Sequence, residues 1–235
     1  MASPEPGYTV CVDEVGRGCL FGPVVAAAVI LPGSFPDNTY LRIRDSKKVP
    51  PKERERLAAY IREHAIAYGI GEASVDEIDR VNILQATYWA MHRALDQVWR
   101  TTPFAHMRID GPGFSPYMPP GRYDEGPEIT VECVVDGDAT DRGIAAASII
   151  AKDYRDSLIC RMVEANPDTY TRYGLLTNMG YGTAAHLKAL REHGPTAQHR
   201  RSFRPVADAA RQETDAAATL PGSAPIRLPR PAPQQ

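Results

Sequence analysis

The chain has 235 residues and a formal net charge of −2 at pH 7, and 43% of its residues are hydrophobic. These values fit one globular domain that is long enough to bury a full core. They exclude binding of nucleic acid through overall positive charge, so any nucleic-acid surface must be a local patch.

The cysteine pattern and the lengths of the apolar runs indicate the compartment. The cysteines have no spacing typical of metal sites, and we expect reduced thiols in or near the core at Cys11, Cys19, Cys133 and Cys160. No apolar run is long enough to span a bilayer, and no secretory leader is recognisable. We therefore expect a cytoplasmic protein without membrane contact.

Two apolar segments near the start, Val10 to Val15 and Val24 to Leu31, have the length and the β-branched residues of strands. Asp13 and Glu14 lie at the end of the first one. A turn with an arginine between glycines follows, consisting of Gly16, Arg17, Gly18 and Gly22. Because adjacent residues of a regular strand face opposite sides, we expect the glycines to release the chain from the ladder and let the two carboxylates converge.

The glycine spacing argues against a nucleotide-binding loop. The pattern is GxGxxxG, one residue longer than the dinucleotide fingerprint, and an apolar strand follows it instead of a helix. The sequence also lacks a GxxxxGK[ST] phosphate loop. Both kinds of nucleotide site are therefore disfavoured.

A basic loop and a charged helix come next. Lys47 and Lys48 lie in the loop, where they can reach a phosphate, with a solvated surface as the alternative. The charged run from Lys52 to Glu63 has apolar residues at helical spacing. A third strand is predicted over Ala65 to Ala73.

One long helix is predicted after Ser74, which forms a capping box with Glu77. Apolar residues then repeat at helical spacing as far as Val98. Phe104 to Asp110 alternates apolar and polar residues and predicts a fourth strand. This strand also ends in a carboxylate.

The last predicted strand, Ile129 to Val135, leads into Asp138. Helices are predicted from about Arg142 and over Ala184 to His193. Residues 206–235 are rich in alanine and then proline without an apolar period, so we expect this tail to be disordered.

Three predicted strands thus lead into carboxylates, and functional groups of open α/β sheets gather at strand ends. The candidates for one acidic cluster are Asp13, Glu14, Asp110 and Asp138. Clustered carboxylates repel each other, and bound divalent cations remove that repulsion. Oxygen ligands without histidine or cysteine favour Mg²⁺ or Mn²⁺, and a pair of such ions is one known means of phosphodiester cleavage.

Several motifs are more specific than this spacing. They are DEVGRGCLFGPVVAAAVIL, DSKK, EASVDEIDRVNILQAT, IDG, GDATDRGIAAASIIAKDYRD, NMGYGTAAHLKAL and HRRSF. With these motifs in this order, the chain from about Tyr8 to Pro205 resembles bacterial ribonuclease HII, the type 2 ribonuclease H family.

The resemblance implies an α/β ribonuclease H-like fold, a five-stranded mixed sheet flanked by helices with a small helical C-terminal extension. The implied domains are a catalytic core over 8–157, the extension over 158–205 and the tail over 206–235. The implied enzyme is a monomeric endoribonuclease that depends on Mg²⁺ or Mn²⁺. Its partners would be RNA/DNA hybrid duplexes, whose RNA strand it cuts, and DNA duplexes containing ribonucleotides. At single ribonucleotides it would cut on the 5′ side and leave 3′-hydroxyl and 5′-phosphate ends, as ribonucleotide removal in replication and repair requires.

The resemblance also implies roles for individual residues. The acidic catalytic and metal-binding set corresponds to Asp13, Glu14, Asp110 and Asp138. The motif that meets the ribonucleotide and its 2′-hydroxyl corresponds to Gly16, Arg17 and Gly18. The tyrosine that packs on the neighbouring sugar corresponds to Tyr181, for which a buried structural ring is the alternative. Phosphate contacts are expected from Lys47, Lys48, Arg200 and Arg201.

The chain departs from the family pattern at four places. A lysine is common two residues before Asp138 and directly before the GYGT segment, where this chain has Asp136 and Met179. Cys19 and Phe21 replace smaller or proline residues in the glycine turn. The loss of two cations predicts weaker phosphate contacts, unless Asp136 points away from the site.

Two other functions remain as alternatives. A junction resolvase of the same fold would share the acidic cluster but lack the glycine-arginine-glycine motif and the tyrosine. A non-catalytic nucleic-acid-binding protein would be expected to have lost some of the four carboxylates, all of which are present here.

Overall fold

The computed structural model describes residues 7–122 and 128–218. Its five strands are β1 Tyr8–Val15, β2 Val24–Ile30, β3 Ala67–Ala73, β4 Phe104–Asp110 and β5 Thr130–Val134. They form one sheet in the order β3-β2-β1-β4-β5. β2 is antiparallel to both β1 and β3, whereas β4 is parallel to both β1 and β5. The predicted five-stranded mixed sheet is confirmed.

Helices flank this sheet and build the C-terminal part of the chain. They are α1 Pro51–His64, α2 Val75–Val81, α3 Ile83–Thr101, α4 Gly137–Thr140, α5 Arg142–Ala165, α6 Pro167–Tyr170, α7 Leu175–Asn178, α8 Ala184–His193 and α9 Arg204–Ala218. Short 3-10 turns cover Asn38–Arg42, Ser46–Lys48 and Thr171–Tyr173. Within residues 7–122 and 128–218, none of the helices combines the length and the apolar character needed to cross a membrane.

Both faces of the sheet are covered, and β2 shows how its sequence achieves this. Every residue of β2 is buried. Its even-numbered residues from Val24 to Ile30 pack in the cluster that contains α3, and its odd-numbered residues from Val25 to Val29 pack with α1 and α5. Because side chains alternate along a strand, an unbroken apolar run serves two core layers at once.

β3 lets α3 approach closely because two of its residues are glycines. A Cβ atom at Gly71 would lie 2.0 Å from the Ala90 carbonyl oxygen, and one at Gly69 would lie 2.2 Å from the Ala94 carbonyl oxygen. Such distances exclude any side chain there. The glycines therefore fix the distance between the helix and the sheet.

The long helix predicted after Ser74 is wrong in one respect, since Asn82 divides it into α2 and α3. Asn82 has a positive φ of 77° and its side chain accepts hydrogen bonds from the Leu84 and Gln85 amides. Asparagine tolerates this left-handed conformation and is a favoured N-cap, so it ends one helix and starts the next.

The cysteine prediction holds for Cys11 and Cys19, which are buried, and Cys160 is partly buried. It is wrong for Cys133, which is exposed. Cys133 lies on β5, the edge strand of the sheet, and most of this strand is open to solvent.

The tail predicted to be disordered from residue 206 instead begins inside α9. Val206 and Ala209 are three residues apart and are buried in a hydrophobic cluster with residues of α5 and α8, including Ile159 and Leu190. A single apolar stripe of this kind is enough to hold a short helix on its neighbours. Residues 219–235 of the predicted tail lie outside the described part of the chain.

The predicted division between residues 157 and 158 falls within α5. The first half of this helix packs on the sheet through residues such as Ile150, and its second half joins the C-terminal cluster through Ile159 and Val163. One continuous helix therefore connects the core to the extension.

Candidate active site

Two of the predicted acidic residues lie near the end of β1. Asp13 pairs with Ala27 of the α5 face and is only 4% exposed, whereas Glu14 pairs with Ala26 of the α3 face. The regular ladder continues as far as Val15. The expectation that the glycine turn releases the strand at the carboxylates is therefore wrong, and the two side chains start from opposite faces of a regular strand.

Asp110 and Asp138 come together at the adjoining edge of the sheet. Asp110 is the last residue of β4, and its Oδ1 atom accepts hydrogen bonds from the Gly137 amide at 2.7 Å and the Asp138 amide at 3.4 Å. The Asp110 carboxylate thereby binds the N-terminal amides of α4, and this places Asp138 in the first turn of that helix.

The acidic residues influence each other electrostatically. Burial raises the pKa of Asp13 well above its usual value, and the carboxylates of Glu14 and Asp110 raise it further. Burial also raises the pKa of Glu14, with Asp110 adding to the rise and Arg17 partly offsetting it. The pKa of Asp110 is raised by burial and by Asp138. The structure therefore brings Asp13, Glu14 and Asp110 within electrostatic reach of one another, with Asp138 next to Asp110.

The only lysine–carboxylate contact that the described residues make within this acidic cluster comes from Lys47. Its Nζ atom lies 3.2 Å from Asp138 Oδ2, although the lysine side chain is 80% exposed. Burial alone would lower the pKa of Lys47, but the hydrogen bond to Asp138 and the charges of Asp45 and Asp13 raise it. Lys47 thus places a positive charge at the cluster.

The donor set fits a hard divalent cation in its chemistry, because it consists of carboxylate oxygens that repel each other. As they stand, no three acidic, histidine or cysteine side chains in residues 7–122 and 128–218 are posed to hold one metal ion. The case for a metal here therefore rests on the oxygen donors and on their mutual repulsion. The side chains do not form a closed coordination shell.

The glycine turn presents backbone and a cation next to the carboxylates. Gly16 has a φ of 91°, and a Cβ atom there would lie 2.3 Å from the Arg155 Nε atom. Gly18 is exposed, and no described atom lies within 4 Å of where its Cβ would be. Arg17 forms an ion pair of 3.3 Å with Glu14. Gly16 thus fixes the turn, and Gly18 leaves room for a ligand to approach the backbone.

The prediction that Arg200 contacts a phosphate is wrong, because the residue is fully buried. Its Nε atom donates to the Gly22 carbonyl and its Nη1 atom donates to the Arg17 carbonyl, both at 2.9 Å. Burial lowers the pKa of Arg200 to about 10. Arg200 therefore holds the glycine turn from inside the protein, while the neighbouring Arg201 is exposed.

A second buried arginine, Arg155 of α5, holds the same turn from another side. It donates to the carbonyl oxygens of Pro23 at 3.1 Å, Phe21 at 2.8 Å and Met179 at 2.8 Å. Arg155 therefore ties the turn to the segment that leads into Tyr181. The sequence did not reveal this role, because arginines are usually exposed and backbone carbonyls have no side-chain signature.

Tyr181 is partly open to solvent, with 39% of its surface exposed. Its backbone forms an isolated antiparallel bridge with Cys19, and the Lys152 Nζ atom lies 5.6 Å from its ring centroid. A fully buried structural ring, the alternative considered from the sequence, is thereby excluded. The backbone of Tyr181 is therefore joined to the glycine turn, while its ring remains accessible.

The remaining predicted phosphate contacts are on the surface. Lys48 is exposed and forms an ion pair of 3.3 Å with Asp45.

Of the two residues that replace family lysines, Asp136 is exposed at the start of α4 with a φ of 54°, whereas Met179 has a φ of 50° and packs against the C-terminal cluster.

A pair of buried serines was also missed from the sequence. Ser46, in the DSKK loop, and Ser148, on α5, share a hydrogen bond of 2.8 Å. Ser148 also hydrogen-bonds to Asp13, which counteracts part of the rise in the pKa of that carboxyl. Both serines lie in the motifs quoted above, Ser46 in DSKK and Ser148 in GDATDRGIAAASIIAKDYRD. The sequence does not show that the two side chains pair.

The sequence of this chain is similar to those of known proteins. The family model described as Ribonuclease HII matches residues 10–206. A Ribonuclease HII of Paramagnetospirillum magneticum is 50% identical over 205 residues, covering 86% of this chain and 94% of that protein. A Ribonuclease HII of Thermosynechococcus vestitus is 48% identical, covering 85% of this chain and 86% of that protein.

Solved structures share the fold. The ribonuclease H2 of Pyrococcus horikoshii superposes with a TM-score of 0.67 at 23% identity and covers 87% of this chain and 97% of its own. A ribonuclease HIII termed Bst-RNase HIII, solved in complex with Mn²⁺, superposes with a TM-score of 0.65 at 19% identity and covers 89% of this chain and 71% of its own.

Proposed function

The chain belongs to the ribonuclease HII family and is an endoribonuclease that acts on the RNA of hybrid duplexes. We propose that it also cuts DNA duplexes on the 5′ side of a single embedded ribonucleotide and leaves 3′-hydroxyl and 5′-phosphate ends. The observation that carries the proposal is the placement of an accessible tyrosine and an open glycine turn beside one acidic cluster.

We propose that Asp13, Glu14, Asp110 and Asp138 hold Mg²⁺ or Mn²⁺. Three of these carboxyls have raised pKa values from burial and mutual repulsion, and a bound cation relieves that repulsion. When bound, divalent cations lower the pKa of an attacking water and neutralise charge at the leaving oxygen. A Mn²⁺ complex of the ribonuclease HIII with the same fold is consistent with this assignment.

Recognition of the ribonucleotide is assigned to the turn and to Tyr181. A 2′-hydroxyl is all that distinguishes RNA from DNA at one nucleotide, so it must be sensed at short range. The backbone at Gly18 is open to such an approach, and Arg17 lies beside it with nearly half of its side chain exposed. The Tyr181 ring then packs on the adjoining sugar, while the exposed Lys47 and Lys48 position the duplex through phosphates without reading its sequence.

One assay tests this proposal against the alternatives. The purified protein is incubated with Mg²⁺ or Mn²⁺ and with three substrates: a DNA duplex carrying one ribonucleotide, an all-DNA duplex and a four-way junction. We expect cleavage of the first alone, with the nick 5′ to the ribonucleotide. Cleavage of the junction would indicate a resolvase, and the absence of cleavage of the one-ribonucleotide duplex with either cation would overturn the proposal.

Replacement of Tyr181 by alanine is expected to reduce kcat/KM at a single embedded ribonucleotide by about tenfold or more, because stacking of an aromatic ring on a nucleotide contributes about 1–3 kcal/mol. Y181F is the matched control, since it keeps the ring. Steady-state kinetics on the one-ribonucleotide duplex provide the measurement. Full activity of Y181A on that substrate would refute the sensing role.

Replacement of the exposed Asp136 by lysine is expected to steepen the salt dependence of duplex binding, because each added phosphate contact changes the slope of log K against log salt by about 0.9. The binding constant is measured over a salt series with the inactive D13N background, with and without D136K. An unchanged slope would show that position 136 lies away from the duplex.

A further inference from the structure

Two fully buried histidines connect the segment around Tyr181 with the segment that follows α8. His186 belongs to α8 and His199 lies beyond its end, and both have no solvent exposure. Their Nε2 atoms are 3.1 Å apart.

The partners of the outer ring nitrogens fix the direction of every hydrogen bond in this pair. The backbone amide of Thr196 can only donate, so His199 Nδ1, 3.0 Å away, carries no proton. The Tyr181 carbonyl can only accept, so His186 Nδ1, 2.9 Å away, carries one. In neutral rings the remaining proton lies on His199 Nε2, which therefore donates to His186 Nε2.

The Thr196 hydroxyl fits this assignment. Its Oγ1 atom lies 2.9 Å from His199 Nδ1 and accepts a hydrogen bond from the Gln198 amide at 3.3 Å. The hydroxyl proton is thus free to point at the same unprotonated nitrogen. The result is a chain of hydrogen bonds that all point in one direction, from Thr196 through His199 and His186 to the Tyr181 carbonyl. We call this chain the relay.

The two ends of this relay are attached to the glycine turn. At one end, His199 forms a backbone bridge with Phe21, and the Gly22 amide donates to the Gln198 carbonyl at 2.9 Å. At the other end, Tyr181 forms its bridge with Cys19. The relay therefore closes a ring of contacts that fixes the Tyr181 backbone relative to the turn.

We propose that His186 and His199 are positioning residues that set the Tyr181 ring against the Gly16–Gly22 turn and thereby determine selectivity for a ribonucleotide embedded in DNA. This inference rests on the proposed function of Tyr181. The histidines touch no substrate, since both are fully buried. A long hybrid offers a 2′-hydroxyl at every position and tolerates a displaced ring, whereas a single ribonucleotide does not.

The relay works only while both rings are neutral. A second proton on His199 would face the Thr196 amide, and one on His186 would face the His199 Nε2 proton, so either would replace a hydrogen bond by repulsion. Burial lowers the pKa of both rings, to about 3 for His199, which is also disfavoured as a cation by His186 and Arg201. The other titratable groups packed here are Tyr173, whose ring contacts both histidines, and His193, next to Tyr173.

The tautomers can be tested directly in the full-length wild-type protein. Long-range ¹H–¹⁵N NMR correlation at pH 7 distinguishes the two neutral forms of each ring. We expect the Nε2–H form for His199 and the Nδ1–H form for His186, with neither ring titrating near pH 6.5. The opposite forms, or a titration near pH 6.5, would overturn the relay whatever the substrate of the enzyme.

A selectivity measurement tests its role. The ratio of kcat/KM on the one-ribonucleotide duplex to kcat/KM on a long hybrid is compared for wild type, H186L, H186N and H193L. H186L removes both nitrogens, H186N keeps a donor near the Nδ1 position, and H193L is the matched control because His193 is exposed on the same helix.

We expect the ratio to fall about tenfold in H186L, to recover in H186N and to stay unchanged in H193L. An unchanged ratio in folded H186L would overturn the proposal, as would a loss in H186N equal to that in H186L. If wild type itself fails to cut at a single ribonucleotide, the proposed function fails instead, and the NMR result still decides whether the relay exists.

Discussion

Replacement of Asp13 by asparagine is expected to reduce turnover at least about a hundredfold and to raise the melting temperature of the metal-free protein. Loss of a group that only supports a metal ligand costs about 10–100-fold, and loss of a ligand costs more. Burial and the neighbouring carboxylates raise the pKa of Asp13, so its ionised form destabilises the fold. Asparagine removes that charge with little change in shape.

The sign of the pH dependence follows from the direction of this shift. A carboxyl whose pKa is raised by folding contributes its stability at low pH and loses it as the pH rises through the folded value. The melting temperature of D13N should therefore exceed that of wild type by an amount that grows from pH 4 upward. D76N, the same change at an exposed carboxylate of α2, is the control. A D13N protein that is less stable than wild type at pH 7 without metal would contradict the electrostatic account.

Replacement of Arg155 by methionine is expected to lower the free energy of unfolding by about 3 kcal/mol or more. The guanidinium is fully buried and donates hydrogen bonds to the carbonyl oxygens of Pro23, Phe21 and Met179. A hydrogen bond to a charged group contributes about 1.5–3 kcal/mol, and a buried acceptor left without a donor is costly. The turn and the Tyr181 segment lose their common anchor.

Chemical denaturation measures this effect, and R161M is the matched control because Arg161 is exposed on the same helix. R155K should be intermediate, since one ammonium lacks the planar fork that reaches several carbonyls. Where R155M remains folded, its cleavage at a single ribonucleotide should fall more than its cleavage of long hybrids. Equal stability of R155M and R161M would show that the buried arginine does not hold the turn.

The sequence predicts the sheet well because its strands are short apolar runs with clear ends. β2 carries this signal as an unbroken apolar run, and β4 carries it as an alternation of apolar and polar residues. The break at Asn82 was missed because the apolar period continues across it, and only the backbone conformation shows that one residue caps the next helix. The apolar period shows which face of a helix is buried, but it does not show whether the helix is continuous.

The acidic residues were predicted from their positions at strand ends, and the structure brings Asp13, Glu14 and Asp110 into electrostatic contact as expected. The expectation that the glycine turn causes this proximity was wrong, because β1 stays regular as far as Val15. Asp110, on the neighbouring parallel strand β4, raises the pKa of both carboxyls through its charge. Which strands lie side by side depends on the order of the strands in the sheet. The spacing of residues along the chain does not reveal that order.

The residues that position the site were the least predictable part. Arg155, Arg200, His186 and His199 are polar, yet all four are fully buried. Their partners are mostly backbone carbonyls and amides, or each other, and such partners leave no mark in a sequence. Composition alone places arginine and histidine on the surface or at a ligand, and for Arg200 that expectation was wrong.

Binding of Mn²⁺ to the full-length protein tests the central claim most directly, because it requires the acidic side chains to act together. The affinity is measured by electron paramagnetic resonance titration for wild type, D13N, D110N and the exposed control D76N. We expect wild type and D76N to bind Mn²⁺ equally and both D13N and D110N to bind at least about tenfold more weakly. Equal affinity in all four proteins would show that these carboxylates do not form the metal site.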